Sequence, residues 1–293
     1  MTKILTHNGR FHADEVFAVA MLKIVFNNDI EVTRTRDLSN ITKFDFVLDI
    51  GRIYDPNTNR FDHHQDTFTD KRANNIPYAT AGLIWKHYGE KITSPTEVVK
   101  RLDLLLIQAI DAEDNGVESI SKDSIYIPYM LPLVIQSFRR PYDKRDENSD
   151  LKDFLQAVEF AENLIKREID KITSNVNGES EVAEIIKSSD EKQFIILDKR
   201  LPWDLVVFNN KEILYVIQIN EENDNWSIYA VRESLSSFAV RKPFPKEWGG
   251  KEGESLEQIT KVNGAIFCHK GLFLTVAKTK ENAINLTKLA LMS

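Results

Sequence analysis

The fold is decided by the stretch KILTHNGRFHADEVFAVAMLKIVF, residues 3–26. Its first five residues, KILTH, have the length of a short buried strand, and a loop containing glycine follows. Residues 14–26 have helical length and begin with acidic residues, which the dipole at a helix N-terminus favours. The stretch therefore predicts a strand, a loop and a helix, which is how an α/β unit begins.

The same alternation of short strands and helices continues after residue 26. Further strands are expected at 30–34 and 44–51, and further helices at 78–89 and 96–112. Such an alternation predicts a parallel sheet that is covered by helices on both faces. Ligands bind beyond the carboxyl ends of the strands in sheets of this kind. His7 and Asp49 are both expected at such ends.

The second half of the chain has a different pattern. A long amphipathic helix is expected over about 149–173, and SNVNGES at 174–180 has the Ser, Asn and Gly content of a linker. Beyond it, short strands follow in quick succession before a terminal helix from about residue 280, which indicates a smaller α+β domain. A chain of 293 residues is long for one core. We therefore predict two domains, 1–174 and 181–293.

Composition limits the classes of protein to which the chain can belong. The single cysteine, Cys268, excludes an intrachain disulfide and a cysteine zinc cluster. The start, MTKILTHNGR, has no apolar core of a signal peptide, and no apolar run has the 18 or more residues of a membrane span. We therefore expect a cytoplasmic protein with no membrane partner. A net charge of −7 argues against a surface that binds nucleic acid over its whole extent.

Carboxylates and imidazoles are concentrated at predicted strand ends and loops. The clearest case is RFDHHQ, residues 60–65, and four of the six histidines belong to the set. The set comprises His7, His12, Asp14, Asp49, Asp62, His63, His64, Asp111 and Asp114. Mixed carboxylate and imidazole ligands suit Mn²⁺, and also Mg²⁺, Zn²⁺ or Fe²⁺. So many ligands favour a centre with two metal ions that share one carboxylate.

Each of these residues alone has an ordinary structural explanation. Asp14 suits the first turn of a helix, Asp49 can end a strand in a turn, and Asp114 with the following Asn and Gly resembles a helix stop. A single histidine such as His7 is more often packed against the sheet than bound to a metal. The combination of all of them favours a metal centre.

The motifs that carry these residues also resemble a known family. The clearest stretches are THNGRFHADEVFA at 6–18, RFDHHQ at 60–65, AIDAEDNG at 109–116 and GAIFCHKGLF at 264–273. They resemble the MYG-type branch (melanocyte-proliferating-gene family) of the DHH phosphoesterase superfamily, from residue 6 to about 275. The resemblance implies a DHH-type N-terminal domain, which holds the metal ions, and a C-terminal domain that contacts substrate.

The resemblance also implies roles for individual residues. His7, His12, Asp14, Asp49, His63 and Asp111 correspond to metal ligands, with Asp49 bridging. Asp49, His63 and His64 would carry the catalysis, and Asp62 and Asp114 would support the ligands. The choice between Asp111 and Asp114 as the ligand stays open. His12 stands where the superfamily usually has an aspartate, which makes this centre less anionic.

In the C-terminal domain the resemblance points to His269, within NGAIFCHKG, as a contact to substrate phosphate. Arg232, Arg241 and Lys242 could add positive charge nearby. Residues 226–293 carry ten Lys and Arg against six Asp and Glu, a local charge of +4. A basic surface of this kind attracts phosphates, although on charge alone ordinary variation in surface charge is the favoured explanation.

These features predict a metal-dependent phosphodiesterase, in which two metal ions activate water. By the resemblance, the substrate is RNA or a short oligonucleotide that is degraded in the 3′–5′ direction. Two alternatives stay open, because the motifs imply phosphate contacts only. The chain could hydrolyse a small phosphate ester or a dinucleotide, or it could be a binding protein without activity on the same fold. The sequence does not give the oligomeric state.

Overall fold

The computed structural model of the chain describes residues 1–117, 125–126, 128–144, 147–234 and 237–293. The chain divides into two compact units, Met1–Thr173 and Ser174–Ser293. Each unit contains one five-stranded sheet with helices. The α/β class that the sequence predicts is confirmed.

The sheet of the first unit brings three strand ends together. Its strands are β1 (Thr2–Thr6), β2 (Ile30–Arg34), β3 (Phe46–Leu48), β4 (Tyr54–Asp55) and β5 (Arg60–Phe61), in the order β2-β1-β3-β5-β4. All neighbours are parallel except β4, which forms an antiparallel hairpin with β5 at the edge. The last residues of β1, β3 and β5 are in register, since Thr6 pairs with Leu48 and Leu48 pairs with Phe61.

Helices of the first unit follow the predicted order, with one break. They are α1 (Ala13–Val25), α2 (Thr80–Ile92), α3 (Thr96–Leu102), α4 (Gln108–Asp114) and α5 (Leu131–Ser137). All residues of α1 from Ala13 to Leu22 are buried. The single helix expected over 96–112 is interrupted, because residues 103–107 form a wider π-helical turn between α3 and α4.

Residues 174–180, which the sequence predicts as a linker, do not form a loop but are helical. One helix, α6 (Glu147–Ser188), runs through it, and the boundary between the two units lies inside this helix. Gly178, which suggested a loop, is required by packing. A Cβ at this position would meet Pro202 Cδ at 2.6 Å, so the ring of Pro202 can pack on the helix only if residue 178 has no side chain.

The second unit has a mixed sheet. Its strands are β6 (Phe194–Leu197), β7 (Tyr215–Asn220), β8 (Asn225–Ala230), β9 (Ala265–Cys268) and β10 (Leu274–Ala277), and its shorter helices are α7 (Asp204–Phe208), α8 (Glu254–Thr260) and α9 (Lys280–Met292). The order is β6-β7-β8-β10-β9, and only β6 and β7 are parallel. Aromatic side chains such as Tyr215, Phe244 and Trp248 fill its core. Within the described residues of the chain, no helix is long and apolar enough to cross a membrane.

Candidate metal centre

The three aligned strand ends of the first unit supply the core of the site. His7 follows β1, Asp49 follows β3, and Asp62 with His63 follows β5. The backbone of Asp49 is in the left-handed region, with φ +56°. Aspartate tolerates this conformation better than most residues do. The amide of Asp49 still donates to Phe61 O at 2.9 Å, so the sheet fixes the position of this carboxylate.

The carboxylate of Asp49 lies between histidines from different loops. Its Oδ2 is 3.3 Å from His7 Nε2. Its Oδ1 is 3.6 Å from His63 Nε2 and 3.4 Å from His64 Nδ1. The two oxygens of one buried carboxylate therefore face two separate groups of ligand atoms, which is the arrangement that a bridging carboxylate needs.

His63 brings two further carboxylates into the cluster. Its Nε2 is 3.1 Å from Asp114 Oδ2 and 3.9 Å from Asp14 Oδ2. This nitrogen is buried and makes no hydrogen bond of acceptable geometry with any described residue. A buried ring nitrogen that is surrounded by carboxylates and lacks a hydrogen bond fits a metal ligand.

The N-terminus of α2 holds the carboxylate of Asp14. Asp14 Oδ2 accepts from Thr80 N at 3.0 Å and its Oδ1 accepts from Ala81 N at 2.6 Å, so the two first amides of the helix orient it. Burial raises the pKa of Asp14 well above its usual value, and the charges of Asp114 and Asp49 raise it further. The cluster thus concentrates negative charge that a cation would neutralise.

Neighbouring carboxylates raise the pKa of two histidines in the cluster. Burial disfavours the charged form of His7, but Asp49 and Glu15 outweigh burial and raise its pKa to about 10. In His63, burial is likewise outweighed by Asp114 and Asp49, and the pKa is raised to about 11. Burial alone would raise the pKa of Asp49, yet contacts with His63 and His7 hold it well below its usual value.

Asp62 supports His64 and the loop before it. Its Oδ1 accepts from the Nδ1 of His64 at 2.8 Å, and its Oδ2 accepts from Arg52 N at 2.6 Å. The hydrogen bond to Asp62 raises the pKa of His64. The His64 side chain is 54% exposed. Asp62 orients the Nδ1 edge of its ring, and the rest of the ring is accessible to solvent.

Glu15 is a member of the cluster that the sequence analysis missed. Its buried carboxylate is 3.1 Å from His7 Nε2 and accepts from the amide of His12 at 2.9 Å. Ligand atoms of His7, His12, Glu15 and Asp49 lie within 4.8 Å of one another. Glu15 was visible only as an acidic residue in the first turn of α1, where the helix dipole explains it without a metal.

Asp111, an expected ligand, does not belong to the groups of ligand atoms that the described residues form. It is buried beside Arg72, whose Nη1 donates to Asp111 Oδ2 at 2.5 Å, and it accepts from Gly82 N at 2.9 Å. Burial raises the pKa of Asp111 to about 6, although Arg72 opposes the shift. Asp114, one helical turn further along α4, contacts His63 instead.

Two of the four residues expected to bind substrate in the second unit have structural contacts. Arg241 donates to the carbonyls of Asn210 and Ile213, each at 2.8 Å, and Lys242 Nζ donates to Leu291 O at 3.0 Å. These backbone contacts fix a turn and the end of α9, which gives both residues a structural role. His269 accepts from Gly271 N at 2.9 Å.

Arg232 lines a large cavity of the second unit, and its Nη2 is 3.8 Å from Asp204 Oδ1.

An open cavity of about 680 Å³ lies over the cluster. His7, His12, Asp49, His64 and Asp114 contribute to its wall, together with two arginines, Arg36 and Arg52. Arg36 Nη2 is 3.4 Å from His7 Nδ1. Arg52 makes no side-chain hydrogen bond or ion pair with any residue that the structure describes. Guanidinium groups beside a metal centre suit recognition of phosphate.

Among the residues that the structure describes, the ligand atoms form three overlapping groups, and the atoms of each group lie within 4.8 Å of one another. These are His7, His12, Glu15 and Asp49; Asp49, His63 and His64; and Asp14, His63 and Asp114. Nitrogen and oxygen ligands in this mixture suit several divalent cations, so the set of donors fits a metal without selecting one.

Comparison with known proteins gives one family over nearly the whole chain. The model of a family described as "Uncharacterised protein family (UPF0160)" matches residues 3–291. A MYG1 protein of Dictyostelium discoideum is 33% identical and covers 96% of this chain and 94% of its own length. A MYG1 protein of Chlamydia trachomatis is 32% identical and also covers 96% of this chain and 94% of its own length. The human relative, named MYG1 exonuclease, is 26% identical over 99% of this chain and 85% of its own length.

Proposed function

The chain belongs to UPF0160, the family of its MYG1 relatives, and from this membership and its cluster of ligands we propose that it is a metal-dependent phosphodiesterase. The membership confirms the resemblance to the MYG-type family. The observation that carries the proposal is the position of Asp49, whose Oδ2 faces His7 at 3.3 Å and whose Oδ1 faces His63 at 3.6 Å. We propose that Asp49 bridges two divalent cations.

Two sets of ligands share Asp49 in this proposal. His7, Glu15 and His12 surround one side, and His63, Asp14 and Asp114 surround the other. Asp114 replaces Asp111 as the proposed ligand, because Arg72 already occupies the carboxylate of Asp111. Divalent cations held there supply Lewis acidity toward a phosphoryl group and favour deprotonation of the attacking water.

The residues of the chain position the phosphate and handle its protons. Arg36 and Arg52 line the cavity and would orient the phosphate oxygens. The His64 ring is held through Nδ1 by Asp62, which leaves its exposed edge to face the substrate. Asp62 raises the pKa of His64, which favours the protonated ring. A proton held at the exposed edge of the ring would pass to the leaving oxygen as the P–O bond breaks.

The relative named an exonuclease suggests a nucleic acid strand as the substrate. We propose that the chain removes nucleotides from RNA or short oligonucleotides in the 3′–5′ direction. In the same proposal the first unit is a DHH-type catalytic domain, for which Mn²⁺ is the preferred metal. The second unit contributes substrate contacts, among them His269 and Arg232.

The test is hydrolysis of 5′-end-labelled RNA by purified protein that has been stripped with a chelator. We expect no cleavage by the stripped protein and stepwise shortening from the 3′ end after Mn²⁺ is added. Ca²⁺ should restore much less activity, because it prefers cages of six to eight oxygens. A chromogenic phosphodiester and a dinucleotide should be tested beside the RNA.

The outcomes separate the alternatives. Turnover of the small diesters with no turnover of RNA would favour a small phosphate compound as the substrate. Absence of turnover for every substrate, in protein that binds Mn²⁺, would favour a binding protein and contradict the proposal.

A further inference from the structure

The second unit contains a cavity of about 1310 Å³, and Arg232 is the one residue of its wall for which a substrate contact has been proposed above. Its wall is built from β7, β8, the segment before α7, the turn before β10, two residues of α6 and side chains after β8 such as Phe238. All of the lining residues belong to the second unit, so the cavity is complete within that unit. A cavity of this size is large enough for a ligand such as a nucleotide.

Four aromatic residues line the cavity. The rings of Trp203 and Tyr229 lie with their centroids 5.7 Å apart. Phe273 is 41% exposed and Phe238 is 95% exposed. Large aromatic side chains that remain exposed are costly, and several of them around one cavity indicate a binding surface for a flat apolar group.

A buried amide of the same cavity is oriented for a hydrogen-bond donor. Gln218 is 7% exposed, and its Nε2 donates to Leu201 O at 3.1 Å and to Lys199 O at 3.5 Å. These two carbonyls fix the orientation of the amide, since the reverse orientation would place oxygen against oxygen. Its Oε1 has no hydrogen-bond donor among the described residues, so it can accept from an N–H group of a ligand.

The charges around the cavity argue against a site built mainly for phosphate. Arg200 and Arg232 line it, but so do Asp204, Glu221 and Glu222. Arg232 is already 3.8 Å from the carboxylate of Asp204. The ligand should therefore be flat and largely uncharged, with an N–H edge.

We propose that this cavity binds a nucleobase of single-stranded nucleic acid. The base stacks on the aromatic side chains, and an N–H group on its edge donates to Gln218 Oε1. The choice of a nucleic acid base rests on the proposed function, whereas the flat shape and the N–H edge come from the cavity alone. Stacking tolerates any base, so the site adds affinity for single strands with little selection of sequence.

The probe is 2-aminopurine riboside, whose fluorescence falls when it stacks on an aromatic ring. It is titrated into the full-length chain in the presence of a chelator, so that binding is measured without hydrolysis. We expect its fluorescence to fall and adenosine to displace it. Ribose 5-phosphate, which lacks a base, should not displace it. The affinity should change little between about 50 and 200 mM salt, because the riboside carries no phosphate.

Two variants test the aromatic wall. Trp203→Leu and Phe238→Ser should each weaken binding at least about fivefold, the lower end of one aromatic stacking contact. Phe238 is 95% exposed, so its replacement leaves the core intact even if Trp203→Leu fails to fold. Tyr142→Ser is the matched control, because Tyr142 is an aromatic residue of the first unit that is 89% exposed.

Three results would overturn the inference. The first is no fluorescence change with the wild-type chain. The second is displacement by choline but not by adenosine, which would show a site for cations. The third is unchanged affinity in Phe238→Ser. If the chain fails these tests but hydrolyses RNA, the proposed function is still supported. If it binds the riboside but hydrolyses no substrate, this inference is still supported.

Discussion

Replacement of Asp49 by Asn removes the charge that is proposed to hold two cations while it keeps the size of the side chain. A unit charge about 4 Å from a cation contributes roughly 4 kcal/mol at an effective dielectric constant of 20, which corresponds to about 10³-fold in rate or affinity. We therefore expect Asp49→Asn to lower turnover of RNA by about that factor or more. Asn also tolerates the φ of +56° at this position, so the fold should persist.

The assay compares turnover, bound metal and thermal unfolding. Bound Mn²⁺ per chain, measured by mass spectrometry, should fall from two ions to one or none in Asp49→Asn. The melting temperature in chelator should change by only a few degrees. Asp66→Asn is the matched control, since Asp66 is an exposed carboxylate four residues from Asp62. Turnover and metal content equal to those of the wild type in Asp49→Asn would refute the bridging role.

The remaining predictions concern residues around the same centre. Asp114→Asn should lose turnover and bound metal with little change in stability. Asp111→Asn should instead lower the melting temperature, because it removes the partner of a buried arginine. The reverse result would restore Asp111 as the ligand. With pKa values of about 10 and 11, His7 and His63 should be protonated at pH 7.5 before metal binds. Because a metal ion binds the neutral imidazole, Mn²⁺ binding should release about two protons and should become tighter as the pH rises. Calorimetry in buffers of different ionisation enthalpy measures this number, and a value of zero would contradict the assignment of both ligands. Gly82→Ala should lower the melting temperature although alanine favours helices, because its Cβ would meet Asp111 Oδ2 at 1.8 Å; an unchanged melting temperature would show that this contact can relax.

The strand ends were the part of the site that the sequence could predict. The strand expected at 30–34 is β2 with the same bounds, and the apolar run before Asp49 contains β3. Parallel strands bring their carboxyl ends to one edge, so His7 and Asp49 could be placed together from periodicity alone. RFDHHQ begins with β5 (Arg60–Phe61), a short strand that was not predicted, so its Asp62 and His63 follow the end of a neighbouring strand.

Contacts between distant residues decided what the sequence could not. Asp111 and Asp114 lie three residues apart on one helix face, and the choice between them depends on Arg72, which is 39 residues away from Asp111. An acidic residue in the first turn of α1 is explained by the helix dipole alone, so the contact of Glu15 with His7 could not be predicted from the sequence. Arg241 was expected to contact substrate because hydrogen bonds from its side chain to backbone carbonyls, such as that of Asn210, cannot be predicted from the sequence.

Anomalous diffraction from crystals grown with Mn²⁺ shows whether two cations share Asp49. We expect two anomalous peaks that both contact the carboxylate of Asp49. One should also contact His7, and the other should contact His63 and Asp114. A single peak on one side of Asp49, or ions bound elsewhere with this cluster empty, would contradict it.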